Sequence, residues 1–127
     1  MGNLMTLAEI APIQVWQGVR ARRVQGDRLT LAIVELDPEA EVPEHTHPAE
    51  QNGMVITGEM TFRIADEERR LGPGGTWRIL GGVPHSATAG PSGAVVIDTF
   101  SPLRADWDAL ESLDPMPPRW PEPADGA

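Results

Sequence analysis

The sequence predicts an all-β fold, a single domain whose short strands form a jelly-roll barrel. Runs rich in Val, Ile, Leu and Thr recur between residues 13 and 100, and clusters of Gly, Pro and Asp separate them about every ten residues. The length of 127 residues suits one domain with a hydrophobic core. The 40% hydrophobic and 23% charged residues are ordinary for a globular protein. We therefore expect one folded domain without a membrane-spanning part.

Eight runs have the β-branched or alternating composition that is typical of strands. They lie at about 19–24, 28–37, 54–57, 59–65, 69–71, 76–80, 86–89 and 94–100. Gly58 separates the third run from the fourth and predicts the tight turn of a hairpin, because glycine readily adopts a positive φ. The sequence Gly-Pro-Gly-Gly at 72–75 predicts a second turn.

The segment after the last strand predicts a short helix at about 103–113. A serine and a proline at its start suit a helix N-terminus. Leu103, Trp107 and Leu110 share one face of such a helix, and this face should pack on the barrel.

The end of the chain, 114–127, is rich in proline, which cannot donate to a strand ladder. This tail is predicted to be either loose or an extended arm, and Trp120 is a candidate to fix part of it. The domain is then expected to span 1–113, with its core at about 28–100.

The composition narrows the range of partners and environments. The formal net charge of −9 and the lack of a lysine-rich patch argue against nucleic acid as a partner. The absence of cysteine excludes disulfides and thiolate metal ligands, so that any metal must bind to His, Gln, Asp or Glu. Residues 1–15 carry no signal-peptide or membrane-anchor pattern, which makes a cytoplasmic location the expectation.

The three histidines form the pattern that is most informative about chemistry. His45 and His47 are two residues apart, so in an extended strand both imidazoles point to the same side. Gln51 follows Pro48 and could return an amide oxygen to the same point, whereas His85 must come from another strand. Three imidazoles and an amide oxygen can hold a metal ion. The alternative is that each histidine is an ordinary polar residue that binds water or backbone.

These residues resemble the two sequence motifs of the cupin superfamily over about the central two-thirds of the chain. The first motif is matched by His45, His47, Gln51 and Gly58, with Gln where many cupins have Glu, and the second by Pro73, Gly74, Val83, Pro84 and His85. The resemblance implies a cupin barrel that binds one divalent metal ion through His45, His47, Gln51 and His85. The ion could be nickel, zinc, iron, manganese or cobalt.

A second group of candidate residues is Asp98, Phe100 and Arg104. Strand alternation places Asp98 and Phe100 on one face. If that face is interior, a carboxylate lies inside an apolar barrel, where it could carry a proton. The alternative is that Asp98 points outward and that Arg104 pairs with Asp108 one helical turn later.

The pattern Asp-x-Phe-x-x-x-Arg after the second motif resembles the KdgF-type pectin degradation proteins. The resemblance extends to Trp16, Gly18 and the Ser101-Pro102 pair. Those cupins open the ring of 4,5-unsaturated uronic acid monosaccharides to give the linear keto-uronate, a step in pectin or alginate breakdown. The resemblance implies an enzyme without redox chemistry in which Asp98, Phe100 and Arg104 act on a small acidic sugar. Ala49 is a departure, since that family often has a further histidine at this place.

Two other functions stay open at this point. One is a metal-dependent dioxygenase, or a lyase or cyclase cupin of secondary metabolism, and the other is a sugar-binding cupin without catalysis. The absence of tyrosine excludes a lyase that uses a tyrosinate base. Apolar residues on both faces of 29–36 predict that a second sheet or a partner covers the outer face, and we expect a homodimer.

Overall fold

The protein folds as an all-β jelly roll of eight antiparallel strands, as the sequence predicts. The computed structural model describes residues 2–122. The strands are β1 (Ile13–Trp16), β2 (Val19–Gln25), β3 (Thr30–Leu36), β4 (Glu41–His45), β5 (Glu50–Ile64), β6 (Glu67–Leu71), β7 (Thr76–Ile79) and β8 (His85–Ser101). The described residues also form two 3₁₀ helices, Leu7–Glu9 and Ala105–Ala109, and neither is long and apolar enough to cross a membrane.

The two long strands β5 and β8 pair from Glu50 opposite Ser101 to Ile64 opposite His85. The first half of β5 and the second half of β8 belong to a layer with the order β1-β2-β3-β8-β5-β7. Their other halves pair with β4 and β6. The core lies between these layers and includes Val34 and Phe62, which come from opposite layers. Strands that continue from one layer into the other thus close the roll.

The hairpin turn predicted at Gly58 is wrong. Gly58 lies inside β5, where the register shifts on either side of it, and its φ is +80°. A Cβ at this position would collide with the carbonyl oxygen of Gly93 on β8. Glycine is therefore required, but for a bulge that bends a continuous strand rather than for a turn.

Three further strands, β1, β4 and β8, differ from the prediction. The runs predicted at 86–89 and 94–100 form the single strand β8, because its residues stay paired with β5 at both ends of the intervening glycine and proline segment. The strands β1 and β4 were not predicted. The strand β4 is an edge strand, and Pro43 at its centre is tolerated there because an edge position need not donate a ladder hydrogen bond.

The helix predicted at 103–113 is only the 3₁₀ helix Ala105–Ala109. Its backbone cannot continue, since Ser112 forms a bridge with Ile13 and the Leu113 N–H donates to the Pro12 carbonyl at 2.8 Å. Trp107 of the predicted packing face is buried against the core.

The proline-rich segment is an extended arm where it is described, and not a loose tail. It lies over the outer face of β2 and β3, where the buried Arg22 donates to the Met116 carbonyl at 2.6 Å. The Arg119 N–H donates to Glu35 at 2.9 Å, and Glu35 also pairs with Arg22 at 2.8 Å. The contacts of Arg22 and Arg119 therefore hold the arm on the sheet, and the role of Trp120, which is 37% exposed, stays a prediction. Residues 123–127 of the predicted tail lie outside the described residues.

Candidate metal centre and adjoining cavity

The fold brings the three histidines together at one end of the barrel. His45 ends β4 and lies opposite His85, the first residue of β8. His47 follows in the connection to β5, and one nitrogen of each ring lies within 4.8 Å of the others. The three imidazoles could therefore hold one metal ion between them.

The backbone fixes the tautomer of all three imidazoles. Each Nδ1 lies 2.7–2.8 Å from a carbonyl oxygen two residues away, that of Pro43 for His45, Ala49 for His47 and Val83 for His85. A carbonyl oxygen can only accept, so Nδ1 carries the hydrogen and Nε2 presents a lone pair. The Nε2 of His85 is buried without a hydrogen-bond partner among the described residues. A lone pair in that position suits a cation.

Gln51 offers the fourth candidate ligand. Its Oε1 lies 3.1 Å from Nε2 of His47, and its amide nitrogen donates to Asp98 at 3.0 Å. With the tautomer that Ala49 selects, both facing atoms are acceptors. Two buried acceptors repel each other unless a donor or cation lies between them. The donor set therefore fits a metal ion.

The protonation state of the histidines also suits metal binding. Burial lowers the pKa of His47, and it lowers the pKa of His85 to about 4. Both rings are thus neutral near pH 7, the form that ligates metals. Binding of an ion at neutral pH would not require a proton to leave either ring.

Asp98 lies inside the barrel beside the histidines, and the alternative of an outward side chain is wrong. It is 6% exposed, and it accepts hydrogen bonds from the Gln51 amide at 3.0 Å and the Trp77 indole at 2.7 Å. Burial raises the pKa of Asp98 to about 6, although both hydrogen bonds and the charge of Arg104 act to lower it. Near neutral pH both of its protonation states are accessible, as a proton carrier requires.

Arg104 lies against two aromatic rings. Its guanidinium carbon is 4.8 Å from the centre of the Phe100 ring and 4.6 Å from that of Trp107. Asp106 accepts hydrogen bonds from Nε of Arg104 at 3.1 Å and from its Nη2 at 3.0 Å. Asp108 contacts Arg23 instead. The predicted pairing of Arg104 with Asp108 is therefore wrong. Stacking and the Asp106 pair hold the guanidinium in a fixed plane.

Most of these groups line one cavity of about 210 Å³. Its lining includes His45, Gln51, His85, Asp98, Phe100 and Arg104, and apolar side chains complete the wall. The volume is below the roughly 300–1,000 Å³ typical of sites for drug-sized ligands. The cavity therefore suits a small molecule.

The sequence did not indicate two residues of the site, Trp77 and Asp106. Trp77 lies on β7 beside Gly53, and Gly53 lies beside Asp98. A glycine in the interior of a strand often marks a close approach of another group, which is the one signal that the sequence contains. Asp106 carries no such signal.

Comparisons with known proteins agree with the fold. No curated protein matches the sequence. An RmlC-like cupin from Shewanella frigidimarina is 24% identical, with a TM-score of 0.78 over 84% of this chain and 96% of that chain. KdgF from Halomonas sp. is 30% identical, with a TM-score of 0.76 over 84% of this chain and 98% of that chain.

A mutant of the Bacillus subtilis oxalate decarboxylase OxdC is 22% identical, with a TM-score of 0.72 over 89% of this chain and 34% of that chain, and shows the fold alone. The model of the family described as "Cupin domain" matches residues 32–100. This range contains all the candidate metal ligands and Asp98. The chain belongs to the cupin family and resembles KdgF.

Proposed function

We propose that this cupin is a metal-dependent enzyme that opens the ring of a 4,5-unsaturated uronic acid monosaccharide to give the linear keto-uronate. The observation that carries the proposal is the cavity beside the three-histidine cluster, which is lined by the imidazoles of His45 and His85, a buried carboxylate and an arginine. The similarity to Halomonas KdgF and the residue pattern Asp98, Phe100, Arg104 support this substrate class.

His45, His47, Gln51 and His85 would hold one divalent ion. Bound there, such an ion supplies Lewis-acid chemistry toward an oxygen of the sugar. All four ligands are neutral, so they leave its double positive charge undiminished. Nickel, zinc, iron, manganese and cobalt all suit this ligand set.

Arg104 is proposed to bind the carboxylate of the sugar. Asp106 takes Nε and one hydrogen of Nη2, which leaves the Nη1 and Nη2 edge of the guanidinium for a second carboxylate. Two parallel hydrogen bonds from this edge would orient the substrate. Phe100 packs against the guanidinium and forms part of the cavity wall.

Asp98 is proposed to carry the proton. In the reaction the hydroxyl at C1 loses its proton, the bond between C1 and the ring oxygen breaks, and the resulting enolate at C5 becomes a ketone when C4 gains a proton. Atoms balance without an oxidant, since the proton lost from oxygen is replaced at carbon. Both hydrogen bonds to Asp98 reach Oδ1, so Oδ2 is left to exchange this proton with the substrate.

The test is turnover of unsaturated galacturonate, followed as loss of the absorbance of its conjugated double bond. We expect turnover by the metal-loaded protein, no turnover with a chelator, and no turnover by Asp98→Asn, which should keep its metal. Asp66→Asn, at an exposed turn, is the matched control and should behave as wild type. Oxygen uptake would indicate a dioxygenase instead, and binding without turnover would indicate a sugar-binding protein. Full activity of Asp98→Asn would refute the assigned role.

The homodimer is also a proposal. The arm covers part of the outer sheet, yet Val24 on β2 and Leu29 in the turn before β3 remain 45% and 48% exposed. Exposed apolar residues at the same end of one hairpin favour a contact with a second copy. Light scattering after size exclusion should give the mass of two chains, and the mass of one chain would refute this.

A further inference from the structure

A hydrogen-bonded chain of three buried side chains leads from β7 to the candidate metal centre. The indole N–H of Trp77 donates to Oδ1 of Asp98 at 2.7 Å, and the amide nitrogen of Gln51 donates to the same atom at 3.0 Å. The three residues are 5%, 6% and 8% exposed, respectively. One carboxylate oxygen thus joins a tryptophan to a candidate metal ligand.

Gly53 makes this chain of contacts possible. It lies between its two partners in the sheet, Trp77 on β7 and Asp98 on β8. A Cβ at position 53 would overlap both the indole nitrogen of Trp77 and Oδ1 of Asp98. Gly53 is not among the glycines with a positive φ, so it is needed for space and not for conformation. The missing side chain lets the indole reach across β5.

The orientation of the Gln51 amide decides whether it can bind a metal. The two ends of an amide have nearly the same shape, and rotation would place its nitrogen, a donor, toward the lone pair of His47. That orientation would also bring the amide oxygen against Oδ1 of Asp98, and two acceptors would then face each other. A fixed Asp98 therefore selects the orientation in which the Gln51 oxygen faces the imidazoles.

We propose that Trp77, through the space left by Gly53, is a positioning residue that fixes Oδ1 of Asp98 and thereby turns the Gln51 oxygen toward the metal. The inference rests on the metal centre of the proposed function, but not on the identity of the sugar. Trp77 itself does not line the cavity and is not proposed to touch substrate.

Trp77→Phe tests the proposal, because it removes the indole N–H and keeps an aromatic ring stacked on Phe62, whose centre lies 4.3 Å away. The affinity of the full-length, metal-free protein for Zn²⁺ is measured by isothermal titration calorimetry. We expect a loss of about tenfold, the lower end of the range for residues that support a metal ligand. Phe62→Leu is the matched control, since it disturbs the same packing without the hydrogen bond. It should lower the melting temperature and leave Zn²⁺ affinity unchanged.

A double-mutant cycle separates positioning from general structural damage. If Trp77 acts through Gln51, Trp77→Phe should have no further effect on Zn²⁺ affinity in a Gln51→Ala background. An equal effect in both backgrounds, or wild-type affinity of Trp77→Phe, would overturn the proposal. Should Trp77→Phe fail to fold, Gly53→Ala displaces the indole by its Cβ instead and should weaken Zn²⁺ binding in the same way.

The outcomes distinguish this inference from the proposed function. A wild-type protein that binds Zn²⁺ but leaves unsaturated galacturonate unchanged would refute only the proposed reaction. A protein that turns over the sugar while Trp77→Phe keeps full affinity would refute only the positioning role. A wild-type protein without Zn²⁺ affinity would refute the metal centre, and the positioning role with it.

Discussion

Asp98→Asn is expected to make the folding of the metal-free protein more sensitive to acid. Burial raises the pKa of Asp98 from 3.8 to about 6, so the folded state takes up a proton before the unfolded state does. Protonation of Asp98 therefore raises the free energy of unfolding as the pH falls from about 6 to about 4. The difference of about two pKa units corresponds to about 3 kcal/mol.

His85 and His47 act in the opposite direction. Burial lowers the pKa of His85 from 6.5 to about 4 and also lowers that of His47. Below pH 6.5 the unfolded state takes up protons that the folded state does not accept, so the free energy of unfolding falls. In the wild type Asp98 offsets much of this loss. Asparagine keeps the shape of the side chain but cannot be protonated, so the offset disappears.

The assay is urea unfolding of the chelator-treated protein at several pH values between 7 and 4. We expect Asp98→Asn to lose about 3 kcal/mol more than wild type over this range. Slopes against pH are compared rather than absolute stabilities, because the substitution also alters the hydrogen bonds at neutral pH. The exposed Asp66→Asn control should run parallel to wild type. Parallel curves for wild type and Asp98→Asn would contradict the reasoning.

Three more predictions test other parts of the structure. Substitution of a residue that only supports a metal ligand weakens metal affinity by about 10–100-fold. His85→Ala removes a direct ligand, so it should weaken Zn²⁺ binding by more than about 100-fold in calorimetry. Retained affinity would exclude His85 as a ligand. Arg22→Ala should lower the free energy of urea unfolding by about 3 kcal/mol, because it leaves the buried Glu35 without its closest cation. Arg119 is more exposed, so Arg119→Ala should lower it by only about 1 kcal/mol. Equal losses would contradict this ranking. Arg104→Lys keeps the charge but not the two parallel hydrogen bonds, so we expect KM for unsaturated galacturonate to rise about tenfold, and an unchanged KM would remove Arg104 from substrate binding.

The sequence predicts the class of fold and most strand positions, but not which breaks in the pattern are turns. Alternation and β-branched residues locate the strands because they reflect a half-buried pleated surface. Glycine marks both turns and bulges, and Gly58 is a bulge only because β5 remains paired with β8 around Gly93. That pairing is a long-range contact, and the local sequence carries no information about it. The strand β4 was missed for a related reason, since Pro43 is compatible with a strand only at an edge.

The candidate ligands could be predicted because short spacings and a family resemblance identify them. The hydrogen bonds and ion pairs around these ligands could not be predicted. The hydrogen bond from Trp77 to Asp98 depends on the register of three strands, with Gly53 between the two residues. The pairing of Arg104 with Asp106 instead of Asp108 depends on a 3₁₀ helix in place of the expected α-helix, which moves the side chains to different angles around the axis.

In the proposed reaction the two oxygens of Asp98 have separate tasks. Oδ1 accepts from Trp77 and Gln51 and so belongs to the support of the metal centre, whereas Oδ2 is left to carry a proton to the substrate. Asparagine can keep an acceptor oxygen in the first position while it loses the acid in the second, whereas alanine would remove both. Substitution by asparagine therefore separates proton transfer from ligand positioning, and the retained metal content expected of Asp98→Asn follows from this division. A carboxylate between a ligand and the cavity thus couples the two halves of the site through opposite oxygens of one side chain.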